Sequence, residues 1–374
     1  MGHAILSASG AARWLACPPS AREEQQYPNE SSAYAQEGTQ AHALAEKHLK
    51  LYLKTGDSQV ICPDDKEMEE AVQSYVDLCI EKIGEARKAS PDALIAVEKK
   101  LNFSEWVPEG FGTGDAVILS DKFIEIIDLK YGKGVRVSAE NNPQMRLYAL
   151  GMWSTFGWLY GADQVRMTIV QPRLDSVSTQ TVSLSELLAW GASIEPIAQM
   201  AYKGEGEHHA GDHCRFCRAR HTCRERARAM KAVIRKDFAP GNALTKEEIA
   251  SIVMNAQRVR NWLDDVMTYA TVQAVDGETY PGLKLVHGRS IRKITDPDTV
   301  GKILEDAGIP KEGIYRTSLQ TITELEKVCG RKKFNELVKD YIVKPEGKPS
   351  LVADTDKRQA IETKSIKDMF MEDD

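Results

Sequence analysis

One short stretch of the 374-residue chain could place two carboxylates and an ammonium together. It runs Gly112-Thr113-Gly114-Asp115, Ala116 to Ser120, Asp121-Lys122, Phe123 to Ile127, then Asp128-Leu129-Lys130. If Asp121 and Lys122 form a two-residue turn, Ser120 faces Phe123, and five residues further along each strand Asp115 faces Asp128. Directly opposed Cβ atoms lie about 4.5–5.5 Å apart, so one divalent cation could bridge the two carboxylates; without it, like charges repel. Lys130 is two residues beyond Asp128 and so shares its face. Its ammonium could orient a water, shift that water's pKa or stabilise charge on a scissile phosphate, while Mg²⁺ or Mn²⁺ supplies Lewis acidity and an activated hydroxide. Taken alone, the same residues also suit a solvated hairpin.

Other side chains could complete such a site. Gly38-Thr39-Gln40-Ala41-His42 opens a helical segment with a histidine that could be a further metal ligand. Gln144 and Tyr148, at i and i+4, face one way on the helix after the hairpin. Glu98, ending the preceding β-like run, could approach the same place. Singly, each has an ordinary structural reading. A separate group is Cys214-Arg-Phe-Cys217 followed by Cys223, with Cys17 far upstream. Three closely spaced thiolates need a fourth ligand for a tetrahedral soft-metal site, and Cys17 is the natural one. Zinc is the generic alternative, with His213 or His221 supplying nitrogen.

In this order the motifs resemble the RecB-like branch of the PD-(D/E)XK nuclease superfamily: Gly38 to His42, Gly112 to Asp115, Asp128 to Lys130, and Gln144 to Tyr148. The resemblance implies that His42, Asp115, Asp128 and the Leu129 backbone carbonyl hold Mg²⁺ or Mn²⁺, with Glu98 a further candidate ligand. It implies that Lys130 serves catalysis beside the two aspartates, and that Gln144 and Tyr148 position substrate. The acid before the lysine is Asp where Glu is commoner, and the superfamily accepts either. One N-terminal cysteine followed by proline, with three more near the end of the core, resembles the iron-sulfur members of that branch, such as CRISPR-associated exonucleases. By that resemblance Cys17, Cys214, Cys217 and Cys223 hold a [4Fe-4S] cluster stapling the two ends of the domain. The match covers roughly residues 5–230 and points to a phage- or prophage-encoded DNA exonuclease of the bacterial cytoplasm, acting in recombination, replication or repair. A phage single-strand annealing or binding protein and a second copy of the chain are its candidate partners. The other class of function is a catalytically silent DNA-end-binding scaffold.

Positioning these residues calls for helices packed on a sheet. Helical periodicity covers Gly38 to Leu53, Asp65 to Lys88 and Gln144 to Trp158; β-like runs cover Leu94 to Val97, Ala116 to Leu119, Phe123 to Leu129 and Gln164 to Gln171. The expected fold is α/β, a restriction-endonuclease-like core with a mixed central sheet flanked by helices. A mainly helical α+β extension follows. The expected divisions are a nuclease domain over 1–236, a long helix and linker over 237–281, a small α+β domain over 282–352, and a charged tail over 353–374. Thr245 and Glu248 form a capping-box pattern ahead of a long apolar stripe, Ile249 to Ala270.

Composition fits an ordinary globular chain: 42% hydrophobic and 28% charged, which excludes disordered and fibrous classes. No signal peptide or membrane span is read from the sequence. Seven cysteines without a secretion signal disfavour a disulfide scaffold. The net charge of −6 argues against a polyanion partner as an average. However, residues 213–236 carry nine Lys/Arg against one acid, Glu225. Arg215, Arg218, Arg220, Arg224, Arg226, Arg228 and Lys231 therefore form a candidate phosphate-contacting track, continued by Arg235 and Lys236.

Overall fold

A computed structural model of the chain describes residues 4–28, 33–234, 243–284, 286, 296–306, 310–311, 315, 322, 330–338 and 341. Helices α1 (Ala11–Ala16), α2 (Ser20–Glu23), α3 (Ala33–Thr55) and α4 (Lys66–Ala89) precede strands β1 (Leu94–Asn102), β2 (Phe111–Leu119) and β3 (Phe123–Leu129). Then come α5 (Pro143–Phe156), β4 (Gln164–Gln171), β5 (Ser176–Ser183) and α6 (Leu184–Lys203). The chain divides into two compact units, Met1–Arg226 and Ala227–Asp374, and α7 (Arg224–Ile234) spans the division.

Local chemistry explains the element ends. Asp65 caps α4 by accepting the Met68 N–H at 3.0 Å; Glu67 and Glu69 occupy its first turn and Arg87 and Lys88 its last, matching the helix dipole. Its buried stripe of Met68, Val72, Tyr75, Cys79 and Ile83 recurs every three or four residues. Asn142 caps α5, whose first turn holds Pro143, where a missing N–H costs nothing.

The five strands lie in the order β1-β2-β3-β4-β5, antiparallel except for β3 and β4. The parallel pair needs a crossover, which α5 supplies. Val117, Leu119, Ile124, Ile126 and Met167 bury one face of the sheet with α5 and α6. Ala116, Ile118, Ile127, Leu129 and Val170 bury the other with α3 and α4. Each fully buried aliphatic side chain contributes about 1.5–3 kcal/mol. This is the expected mixed α/β sheet flanked by helices.

The hairpin register is the expected one: Ala116 pairs with Ile127 and Leu119 with Ile124, and the Ser120 N–H donates to the Phe123 carbonyl at 3.0 Å. Strand β5 and helix α6 were not anticipated. β5 reads Ser-Val-Ser-Thr-Gln-Thr-Val-Ser and is an edge strand exposed on alternate residues, so it carries little apolar signal.

In the second unit α8 (Lys246–Val275) opens with the expected capping box: the Thr245 N–H donates to Glu248 Oε2 at 2.7 Å and the Glu248 N–H to Thr245 Oγ1 at 3.2 Å. Helices α9 (Pro297–Asp306) and α10 (Arg331–Val338) follow. Leu283, Lys284 and Val286, read as β-like, are not in a strand. Residues 235–242, Cys329, the Lys344–Pro349 stretch and the tail over 353–374 lie outside the described residues. Among the described residues no helix is long and apolar enough to cross a membrane.

Candidate active site

The site forms where the β1–β2 ladder is interrupted. Pairing runs through Val97 with Ala116 and resumes at Lys99 with Gly114, leaving Glu98 and Asp115 between. Glu98 has φ +50°, a left-handed conformation that costs a non-glycine residue about 1–3 kcal/mol and collects at functional sites. The side-chain faces of β2 reverse there. Ala116 and Ile118 meet the α3–α4 layer, whereas a Cβ on Gly112 would lie 2.6 Å from the Tyr148 ring and one on Gly114 3.0 Å from Leu101. Gly112 is thus what lets Tyr148 approach the strand.

The kink turns two acids toward α3. Ligand atoms of His42, Glu98 and Asp115 all lie within 4.8 Å of one another. His42 Nδ1 is 3.3 Å from Asp115 Oδ1, and the other Asp115 oxygen accepts the Leu129 N–H at 2.7 Å. A nitrogen and two carboxylates suit a hard divalent cation, so this triad could hold one.

A second group lies toward α5. Lys130 Nζ is 2.9 Å from Asp128 Oδ2 and donates to Gln144 Oε1 at 3.0 Å. Gln144 Nε2 donates to the Tyr148 hydroxyl at 3.0 Å and approaches Asp128 Oδ1 at 3.5 Å. Both ends of the Gln144 amide are therefore used, which fixes its orientation. Beneath β3, the fully buried Tyr75 donates its hydroxyl to the Ile127 carbonyl at 3.4 Å, one residue before Asp128. Sequence periodicity showed Tyr75 only as a core position.

The electrostatics couple the groups. Burial raises Glu98 to about 7, with the Asp115 charge adding to the effect. Burial also raises Asp128, as does Asp115, against the pull of Lys130 and His42. Burial alone would lower Lys130 and His42; the neighbouring carboxylates outweigh it and raise both. Burial raises the Tyr148 hydroxyl well above its usual value. Carboxylates held above their normal range beside an elevated lysine mark an acidic site short of positive charge.

The hairpin therefore brings Asp115, Asp128, Lys130, Gln144 and Tyr148 together with His42. Glu98, a peripheral candidate in the sequence, belongs to the tightest group. Asp128 stands just outside that group, its carboxylate held by Lys130. The Leu129 amide engages Asp115.

In the same unit, Cys17 and Cys217 are buried and Cys214 and Cys223 half-buried, all as free thiols. The Gly211 N–H points at Cys214 Sγ at 3.4 Å and the Arg226 N–H at Cys223 Sγ at 3.5 Å. Hydrogen bonding to the Cys17 and Cys214 thiols raises His213 to about 10. Burial alone would raise Cys214; His213 and the Gly211 amide outweigh it and hold the thiol below its usual value. Burial pushes Cys217 up to about 12 and also raises Cys223. Buried Glu24 ties the region to the N-terminal helices, pairing with Arg13 at 3.0 Å and accepting the Arg218 N–H at 2.8 Å.

The basic track is only partly a surface. Arg226, read as a phosphate contact, is 6% exposed and donates to the Arg220 carbonyl at 3.0 Å. Arg218 and Arg220 are half-buried and donate to the Tyr27 and Cys217 carbonyls, both at 3.2 Å. Arg215, Arg224, Arg228 and Lys231 are exposed.

Residues 3–359 match the model of a family described as "Protein of unknown function (DUF2800)", and the chain belongs to that family. Among solved structures it is similar to SSO0001, at 14% identity over 50% of this chain and 85% of that one, with a TM-score of 0.23. It is also similar to a "Putative exonuclease" from Eubacterium rectale, at 12% identity over 64% of this chain and 90% of that one, with a TM-score of 0.32. Both likenesses are too distant to bear on the chemistry.

Proposed function

We propose that this member of a family of unknown function is a metal-dependent deoxyribonuclease that hydrolyses phosphodiester bonds, with exonucleolytic processing of DNA ends as its mode. The observation that carries the reading is the meeting of the His42–Glu98–Asp115 group with the Asp128–Lys130–Gln144–Tyr148 line at one kink in the sheet. A catalytically silent scaffold would have no need to keep a buried Asp128 carboxylate and a half-buried, repelling Asp115 beside a lysine.

The chain's own residues have distinct parts. His42, Glu98 and Asp115 would hold Mg²⁺ or Mn²⁺, with Asp128 and the Leu129 carbonyl completing its surroundings. When bound, such a cation supplies Lewis acidity and lowers the pKa of water. Asp115 is kept in place by the Leu129 N–H. Lys130, braced by Asp128 and Gln144, would orient the attacking water and neutralise charge on the phosphate. Gln144 holds that lysine and is itself held by Tyr148, and the two would position substrate. Wild-type protein should release nucleotides from labelled linear duplex or single-stranded DNA in Mg²⁺ or Mn²⁺, and Asp128→Ala should not. Equal release by the two proteins overturns the reading.

The four cysteines would hold a [4Fe-4S] cluster. His213 reaches both Cys17 and Cys214, and two backbone N–H groups are aimed at the Cys214 and Cys223 sulfurs, which supports the reading because hydrogen bonds to cluster sulfurs are part of how proteins tune them. His213 beside Cys17 and Cys214 makes a zinc site the competing outcome. Brown protein with about four iron atoms per chain supports the cluster; colourless protein with stoichiometric zinc replaces it. Arg215, Arg224, Arg228 and Lys231 would contact the DNA backbone.

A further inference from the structure

The acidic site poses a problem for a polyanionic substrate. Glu98, Asp115 and Asp128 converge there, and Lys130 is already engaged by Asp128 and Gln144. A phosphate chain approaching it needs cations at the rim, and the most direct place to look is the segment between Lys130 and Gln144. That segment springs from the site and returns to it, because its two ends are joined by the 3.0 Å Lys130–Gln144 hydrogen bond.

The segment 131–142 contains two cations, Lys133 and Arg136. Lys133 pairs with Glu67, and Glu67 also takes Arg173 at 3.1 Å, so Lys133 serves to hold the segment against α4. Arg136 is exposed and makes no ion pair among the described residues. Its backbone, by contrast, is tightly held. Gln171, at the end of β4 and only 2% exposed, accepts the Val137 N–H at 2.7 Å and donates its Nε2 to the Val135 carbonyl at 2.9 Å. Those two groups belong to the peptide units on either side of Arg136, so one buried amide stands in for a partner strand across that residue. Val137 packs on the hydrophobic core. Arg136 itself is exposed to solvent. A buried glutamine amide left unpaired is costly, and here both of its ends are satisfied by this loop.

We infer that Arg136 contacts the DNA backbone beside the scissile phosphate and that Gln171 is its positioning residue. The inference rests on the DNA-nuclease reading for its ligand. It is distinct from the Arg215–Lys231 track, which lies around the cysteine region and α7.

The test is binding of a fluorescein-labelled single strand and its duplex, read by anisotropy in an Asp128→Asn background so that the DNA survives. Salt is varied between about 50 and 200 mM, a range in which phosphate contacts change affinity steeply. Adding Arg136→Ala should weaken binding about 3- to 10-fold and lower the slope of log K against log salt by about 0.7–0.9, the value of one phosphate contact. Arg136→Lys should retain the slope. Gln171→Leu should weaken binding similarly, speed amide exchange at Val137, and add little when combined with Arg136→Ala, because both remove the same contact. Unchanged affinity and unchanged salt slope in Arg136→Ala overturn the inference. Binding is read without turnover, so failure of the wild type to release nucleotides would count against hydrolysis and leave this contact standing.

Discussion

Replacing Glu98 by glutamine should stabilise the metal-free protein and sharply reduce its response to metal. In the metal-free site, burial and Asp115 raise Glu98 from 4.5 to about 7. At 1.36 kcal/mol per pKa unit, ionising it in the folded chain costs about 3 kcal/mol more than in the unfolded chain. The side chain is only half-buried, and screening by solvent brings this to about 1–2 kcal/mol. The sign follows from linkage: a carboxyl whose folded pKa is raised costs nothing below pH 4.5, and the penalty grows through pH 7 to its full value above. Glu98→Gln should therefore raise the melting temperature of the unit in EDTA by about 2–8 °C at pH 8 and by almost nothing at pH 4.5, using about 2–4 °C per kcal/mol for a unit of this size. Saturating Mn²⁺ should reverse the order, stabilising wild type by roughly 3 kcal/mol at a hundred times its Kd and the variant far less. Differential scanning calorimetry in EDTA and in Mn²⁺ reads both. A variant no more stable than wild type in EDTA at pH 8, or equally stabilised by Mn²⁺, would refute the reasoning.

Three further outcomes are expected. Gly112→Ala places a Cβ 2.6 Å from the Tyr148 ring, so the tyrosine must give way at a cost of about 1–3 kcal/mol; borne by the active arrangement, that cost lowers nucleotide release roughly 5- to 150-fold, while Mn²⁺ binding by calorimetry stays intact. Mn²⁺ affinity should weaken as pH falls below 7, because Glu98 near 7 and His42, raised above 6.5, must both lose protons to bind. Calorimetry in buffers of different ionisation enthalpy should accordingly show protons released at pH 6.5 and fewer at pH 8.5. Cys17→Ser should reduce the metal content of the cysteine site and, since that site joins the N-terminal helices to the segment around Cys214, lower the melting temperature; unchanged iron and zinc by elemental analysis would remove Cys17 from the ligand set.

How much of this was legible depended on the kind of interaction. The β2–β3 hairpin could be read because a two-residue turn and strand alternation leave one register, and Ala116 does pair with Ile127. Gln144 and Tyr148 could be placed together because helical spacing determines which side chains meet, and they do at 3.0 Å. The kink at Glu98 was not readable, since a left-handed non-glycine residue leaves no mark in composition or periodicity. Strand β5 was hidden by its serines and threonines. The basic run was legible as charge but not as surface: packing alone decides that Arg226 is buried while Arg224 stays exposed. Gln171 looked like the polar end of an apolar strand, and only the returning loop gives its amide a purpose.

The central claim is that the residues meeting at the sheet kink hydrolyse DNA with a bound divalent cation. The most direct measurement pairs nucleotide release from labelled linear DNA with Mn²⁺ binding, for wild type and Lys130→Ala. Lys130 sits outside the His42–Glu98–Asp115 group, so the variant should still bind Mn²⁺. Its nucleotide release should fall by about 10²–10³, the loss typical of removing one preorganised charge partner. Metal binding with equal nucleotide release in the two proteins, or no metal-dependent release by wild type, would contradict it.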